Sequence, residues 1–131
     1  MENCIFCDIV NDKIAGHKIR ENEKFLAILD VFPNRKGMTL VISKEHYHSD
    51  PTNVDTSIMQ AWIQAVQEVM QLLKEKLWVP RVWLVIEGLE IDHLHFKLYP
   101  FWENVWFPNG VWSGPQANNK ELEDLEKKII G

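Results

Sequence analysis

No apolar run in this 131-residue sequence approaches the roughly 20 residues that a membrane-spanning helix needs. The opening MENCIFCDIV has no basic segment followed by a long apolar one, so no secretory leader is read in it. The chain is therefore expected to be soluble and cytoplasmic, with no membrane as a partner. Basic residues are not in excess: 14 Lys and Arg stand against 19 Asp and Glu, for a net charge of −5 and a pI near 5.5. That balance argues against binding a nucleic-acid polymer along its backbone. It leaves room for a local basic pocket that takes one small phosphate ligand. Low-complexity tracts and internal repeats are also missing, and 46% hydrophobic with 25% charged residues is the balance of an ordinary globular chain. A chain of this length buries about two-thirds of its unfolded surface, and one domain spanning 1–131 is expected.

Cysteine is scarce too. The two present, Cys4 and Cys7, both lie in CIFC, which suggests metal or redox chemistry rather than a secretory disulfide framework. A redox pair of this spacing usually follows a strand, and none is read before Cys4. Zinc is the stronger reading but requires two further ligands. Two small buried hydrophobes remain the structural alternative.

Turn residues and periodicity divide the rest. FCDIVNDKI reads as a short helical turn closing on Gly16. KIRENEKFLAILDV reads as a hairpin bending at residues 21–23, and MTLVIS as a third strand. FPNRKG is the loop between them and KEHYHSDPTN a polar connection. From Val54 to Leu77, Ile58, Trp62, Ala65, Val66, Val69, Leu73 and Leu77 recur at three- and four-residue spacing, the stripe of a long amphipathic helix that Pro80 blocks from continuing. VWLVIE and DHLHFKLY read as an antiparallel strand pair around Gly88, and residues 118–130 as a final helix carrying Leu122, Leu125 and Ile129. Five strands without regular β–α alternation predict an α+β fold.

Residues 92–100, DHLHFKLYP, alternate His93, His95 and Lys97 with Leu94, Phe96 and Leu98. On a strand the first three share one face, each roughly 6 to 7 Å from the next, and the others enter a core. Pro100, lacking an N–H, is expected to end the strand. A half-exposed strand with an incidentally basic face is the structural alternative.

CIFCDIV, FLAILDVFPNRKGMTLVISKEHY and G-x-x-x-x-H-x-H-x-K-x-x-P, in that order, resemble the histidine-triad (HIT) family. The similarity runs from Cys4 to Pro100, about three-quarters of the chain. The resemblance implies a five-stranded antiparallel sheet with one long helix, commonly dimeric, here a homodimer. It implies a protein that binds small nucleotides, here a purine nucleoside phosphate, and cleaves phosphoanhydride or phosphoramidate bonds through a phosphohistidine.

Carried over residue by residue, the resemblance makes His95 the nucleophile and gives Lys97 the triad's third position, where the family usually has His. A neutral imidazole can attack phosphorus at pH 7 and later release the phosphoryl group to water. Lysine there would offset phosphate charge without replacing an imidazole relay. Asp30 matches the residue that accepts from the ribose hydroxyls, with a turn-entry Asp ahead of Pro33 as the structural alternative. Ile28 and Val31 match apolar neighbours of the base, and Gly88, Leu89 and Glu90 the phosphate loop. Leu89 stands where Gln is usual and Glu90 adds a carboxylate, so that loop is weakened, and Met38 stands where His is frequent. The resemblance implies structural Zn2+ held by Cys4, Cys7, His46 and His93, with His48 an alternative to His46 and His17 a surface residue.

The six tryptophans are not explained by the resemblance. Trp62 lies on the helix stripe and is expected in the core, while Trp78 and Trp83 flank the strand before the motif. Trp102, Trp106 and Trp112 crowd 101–115 with Phe101 and Phe107. A subunit interface or C-terminal cap is the leading reading of that segment, and a wall for a stacked base the second. Three functions follow in descending order: a nucleotide hydrolase or transferase using His95, a zinc-stabilised nucleotide-binding module with little or no turnover, and an aromatic assembly domain.

Overall fold

The computed structural model describes residues 3–102 and 113–131. Trp106, Phe107 and Trp112 lie outside the described residues. The strands are β1 (Lys18–Glu21), β2 (Phe25–Leu29), β3 (Thr39–Ser43), β4 (Arg81–Val85) and β5 (His95–Phe101), and the α-helices α1 (Ile5–Val10), α2 (Thr56–Leu77) and α3 (Asn119–Ile130). The strands form one sheet in the order β1-β2-β3-β5-β4, each neighbour antiparallel. This is the α+β architecture expected from the sequence.

Turn chemistry sets the early register. Asn22, between β1 and β2, accepts from the backbone N–H groups of Lys24 and Phe25, both at 2.8 Å, which satisfies two donors at the bend. Asp55 caps α2 by accepting from Ser57 N–H, so the helix begins at Thr56 and not at Val54, behind a 3₁₀ turn at Pro51–Asn53. Trp78, expected only to flank the next strand, terminates α2 in the left-handed region (φ 57°) with 86% of its surface exposed. Asn118 caps α3 in the same manner as Asp55 caps α2.

The two faces of the sheet bury different sets. Ala27, Leu29, Val41, Phe96 and Leu98 pack with the α2 stripe and with Leu122, Leu125 and Ile129 of α3. Trp62 is fully buried there and stacks on Phe96 at an interplanar angle of 17°. Leu26, Ile28, Leu40 and Ile42 form the other face with Cys4, Phe6 and Ile9 from α1 and its cap. Residues directly opposite in antiparallel strands present side chains to one face. Leu40 pairs with Lys97 and Ile42 with His95, so both basic side chains point toward α1.

Two expectations about DHLHFKLYP are corrected. The strand begins at His95 and not at Asp92, because the preceding backbone is engaged elsewhere. His93 N–H donates to Ile91 O, Leu94 N–H to Tyr47 O, and Ser49 N–H to the Asp92 carboxylate. Nor does Pro100 end the strand: it pairs with Val82, and β5 continues to Phe101. Strand β3 starts opposite Leu98, so the missing N–H of Pro100 faces no neighbouring strand, and its carbonyl accepts from Arg35 Nη1 at 3.2 Å. His17, expected at the surface, is half-buried, with Nδ1 3.4 Å from Glu126 on α3.

Candidate functional site

Sequence-distant residues converge around the N-terminus of α1. Cys4 is the helix cap, its Sγ accepting from Cys7 N–H at 3.3 Å. His46 arrives from the loop after β3 and His93 from the stretch before β5. Cys4 Sγ lies 3.2 Å and Cys7 Sγ 3.5 Å from His93 Nδ1, Cys7 Sγ lies 3.3 Å from His46 Nδ1, and the two Nδ1 atoms are 3.2 Å apart.

These four residues form a possible metal-binding group, their ligand atoms all within 4.8 Å of one another. A tetrahedral ion with bonds of about 2.0 to 2.3 Å has ligand–ligand edges of roughly 3.3 to 3.8 Å, close to the spacings observed. His93 Nε2 lies 2.7 Å from Ser43 O, and a carbonyl can only accept, so the proton sits on Nε2 and the Nδ1 lone pair faces the cluster. Burial lowers the His93 pKa and favours the neutral ring that a metal needs. Burial, and next the adjacent Cys4, push the Cys7 thiol up to about 11; a bound cation reverses such a shift by stabilising the thiolate. His48 stands apart, its ring 3.3 Å from the Asp92 carboxylate.

One pleat along, His95 is buried, with Nδ1 2.6 Å from His93 O. By the same reasoning Nδ1 carries the proton, and Nε2 keeps a lone pair with no hydrogen-bond partner among the described residues. Burial lowers the His95 pKa more than the hydrogen bond to His93 O raises it, with Lys97 adding a further lowering. The ring is thus held neutral, and Phe6 meets it edge-on at 5.0 Å between centroids.

Lys97 has a partner not foreseen in the sequence. Its Nζ lies 2.7 Å from Glu87 Oε1, with side chains only 5% and 9% exposed. Burial alone would raise the Glu87 pKa, but the bonds to Lys97 and to Leu89 N–H outweigh it and hold the carboxyl below its ordinary value. The contact is an ion pair, and neither Lys97 Nζ nor Glu87 Oε1 has a hydrogen-bond partner of good geometry among the described residues.

A cavity of about 180 Å³ lies against these groups. His95, Lys97, Asp30 and Glu90 supply its polar wall, and Phe6, Ile9, Ile28 and Val31 much of its apolar one. Asp30 is buried, and Oδ1 accepts from Phe32 N–H at 2.8 Å. Burial raises its pKa, partly offset by that hydrogen bond and by Lys97. Gly88 and Leu89 do not line the cavity. Leu89 is 76% exposed, and Gly88 has φ +60° with its carbonyl accepting from Ser49 Oγ at 2.6 Å. A Cβ at Gly88 would come within 2.9 Å of Ser49 Cβ and O, so a close approach and a left-handed backbone both require glycine there.

None of Trp62, Trp78, Trp83 and Trp102 lines this cavity. Phe6 and Ile9 were missed as wall residues, although their three-residue spacing in a short helix beside CIFC was a signal. A larger cavity of about 550 Å³ lies between residues 33–38 and α3, but His95 and Lys97 do not reach it.

The model of the HIT domain matches residues 11–100. The chain belongs to the HIT family. An uncharacterised HIT-like protein of Methanocaldococcus jannaschii is 32% identical, covering 98% of this chain and 99% of that one. An adenosine 5'-monophosphoramidase of Saccharomyces cerevisiae is 32% identical over 97% of this chain and 80% of its own length. Among solved structures, a hypothetical histidine triad nucleotide-binding protein from Sulfolobus tokodaii superposes with a TM-score of 0.85 at 29% identity, covering 97% of this chain and 89% of that one. No helix among the described residues is long and apolar enough to cross a membrane.

Proposed function

We propose that the chain is a nucleotide-binding hydrolase or transferase that cleaves a nucleoside phosphoanhydride or phosphoramidate bond through a phosphohistidine on His95. The observation that carries this reading is the bond from His95 Nδ1–H to His93 O, which leaves the Nε2 lone pair of a neutral ring beside a cavity that also holds Asp30 and Lys97. The activity named for the yeast relative supports the same class at 32% identity.

His95 Nε2 attacks the phosphorus next to the ribose while the leaving group departs, and water then releases the nucleoside monophosphate. The second Asp30 oxygen, with no hydrogen-bond partner among the described residues, accepts from the ribose hydroxyls. Ile28, Val31, Phe6 and Ile9 supply an apolar bed for the base, and Lys97 offsets phosphate charge. Cys4, Cys7, His46 and His93 would hold structural zinc; such a closed set of two thiolates and two imidazoles would leave no position for substrate and would fasten α1 to the sheet.

Glu90 favours a second reading. Its carboxylate lines the cavity and repels phosphate, as a module that binds nucleotides with little turnover could tolerate. Incubating the chain with adenosine and guanosine phosphoanhydrides and phosphoramidates, with products resolved by chromatography, separates the two. Multiple turnovers with any member support the hydrolase, and binding without product supports the module.

A further inference from the structure

The group that follows His95 on its face is an ammonium clamped by a carboxylate, and such a group handles leaving groups in a particular way. We infer that the buried Glu87–Lys97 pair makes this site selective for phosphoanhydrides, whose leaving group departs as a stable oxyanion, over phosphoramidates, whose leaving amine must gain a proton. The inference rests on the proposed His95 chemistry and narrows its substrate class.

Three observations carry it. Lys97 Nζ is 2.7 Å from Glu87 Oε1, a buried ion pair, and Lys97 helps hold the Glu87 carboxyl below its ordinary value. Glu87 is fixed in turn, because its other oxygen accepts from Leu89 N–H at 2.9 Å. The Lys97 side chain lines the cavity beside His95, while its Nζ is itself buried with no further acceptor among the described residues. Its charge therefore reaches a ligand there through its field.

The bond changes differ between the two substrate classes. With an anhydride, the Nε2 lone pair of His95 forms the N–P bond and the P–O bond to the bridging oxygen breaks. That electron pair stays on the oxygen, and phosphate leaves as an anion needing no proton. A fixed ammonium stabilises the growing charge by its field alone. Water then attacks phosphorus, the P–N bond to His95 breaks with its pair returning to Nε2, and the proton of water passes to solvent.

With a phosphoramidate, the breaking P–N bond leaves its pair on nitrogen, which must be protonated as it departs. As a class a lysine ammonium is a far weaker acid than an imidazolium, and this one is held 2.7 Å from the Glu87 carboxylate. The pair therefore supplies charge readily and protons poorly. Glu87 is in this account a positioning residue that acts through Lys97.

The test compares kcat/KM for adenosine diphosphate and adenosine 5'-phosphoramidate, which share the transferred group and differ in what leaves. The full chain should favour the diphosphate at least tenfold. Lys97→His, with an imidazole that exchanges protons near neutrality, should move the ratio at least tenfold toward the phosphoramidate. Glu87→Gln should lower kcat for the diphosphate at least fivefold with KM for both substrates changed less than twofold. The comparison within the unmodified chain stands even where a variant does not fold. A chain that cleaves both but favours the phosphoramidate, or a ratio unmoved by Lys97→His, overturns this inference alone. Turnover of neither substrate overturns the hydrolase reading and this inference together.

Discussion

His93 O accepts from His95 Nδ1 at 2.6 Å, while the ring of the same His93 faces Cys4, Cys7 and His46. One residue thus belongs to the candidate metal-binding group through its side chain and sets the tautomer of His95 through its backbone. Whatever holds the His93 ring also holds the carbonyl that orients His95, so the two sites are mechanically one.

The metal is expected to be part of the fold. Protein purified without chelator should contain close to one zinc per chain, and Cys4→Ser should lower both metal content and melting temperature. His48→Ala should change neither, because His48 pairs with Asp92 outside the cluster. Elemental analysis beside thermal melts decides this; full stability with no metal would leave the cysteines as core residues.

The extent to which this site was legible in the sequence follows from how local each signal is. Period-two alternation in DHLHFKLYP placed His95 and Lys97 on one face, and the apolar stripe placed Trp62 in the core. Both depend on neighbours a few residues away. The Glu87–Lys97 pair had no such signal, because it depends on β4 and β5 pairing in a register that sets Val85 opposite Lys97. The strand's start at His95 was hidden for the same reason, since Leu94 N–H is taken by Tyr47 O. Pro100 misled because a proline stops a strand only where its nitrogen faces a neighbour, and that depends on where β3 begins. The candidate metal-binding group became readable only through resemblance, as CIFC supplies two of its residues and the other two lie 39 and 86 residues beyond Cys7.

The carboxylate of Asp30 is expected to read the ribose. Asp30→Ala should weaken nucleoside monophosphate binding by about 1.5 to 3 kcal/mol, the loss of charge-assisted hydrogen bonds. Calorimetric titration of ribo- and dideoxyribonucleotides checks it, and equal affinity of the unmodified protein for both would contradict the role.

The buried ion pair should show itself in stability. Lys97→Met leaves Glu87 buried without its cation and should cost about 3 to 5 kcal/mol, whereas pairing Lys97→Met with Glu87→Gln should recover most of that loss. The pH dependence has a definite sign. The Glu87 carboxyl lies below its ordinary value in the fold, so its contribution is complete above the unfolded pKa of about 4.3 and disappears as pH falls through the lower folded value. Glu87→Gln should therefore flatten the acid limb of the melting curve and leave its neutral region parallel to that of the unmodified chain.

The claim that His95 forms the covalent intermediate is tested most directly by rapid acid-free quenching during turnover, followed by intact-mass and peptide-level analysis. The expected result is a transient gain of one nucleoside monophosphoryl group on the peptide containing His95, with both adduct and turnover lost in His95→Ala, a drop of at least a thousandfold in kcat. Undiminished turnover in His95→Ala, or turnover by the unmodified chain with the adduct on another residue, would contradict it.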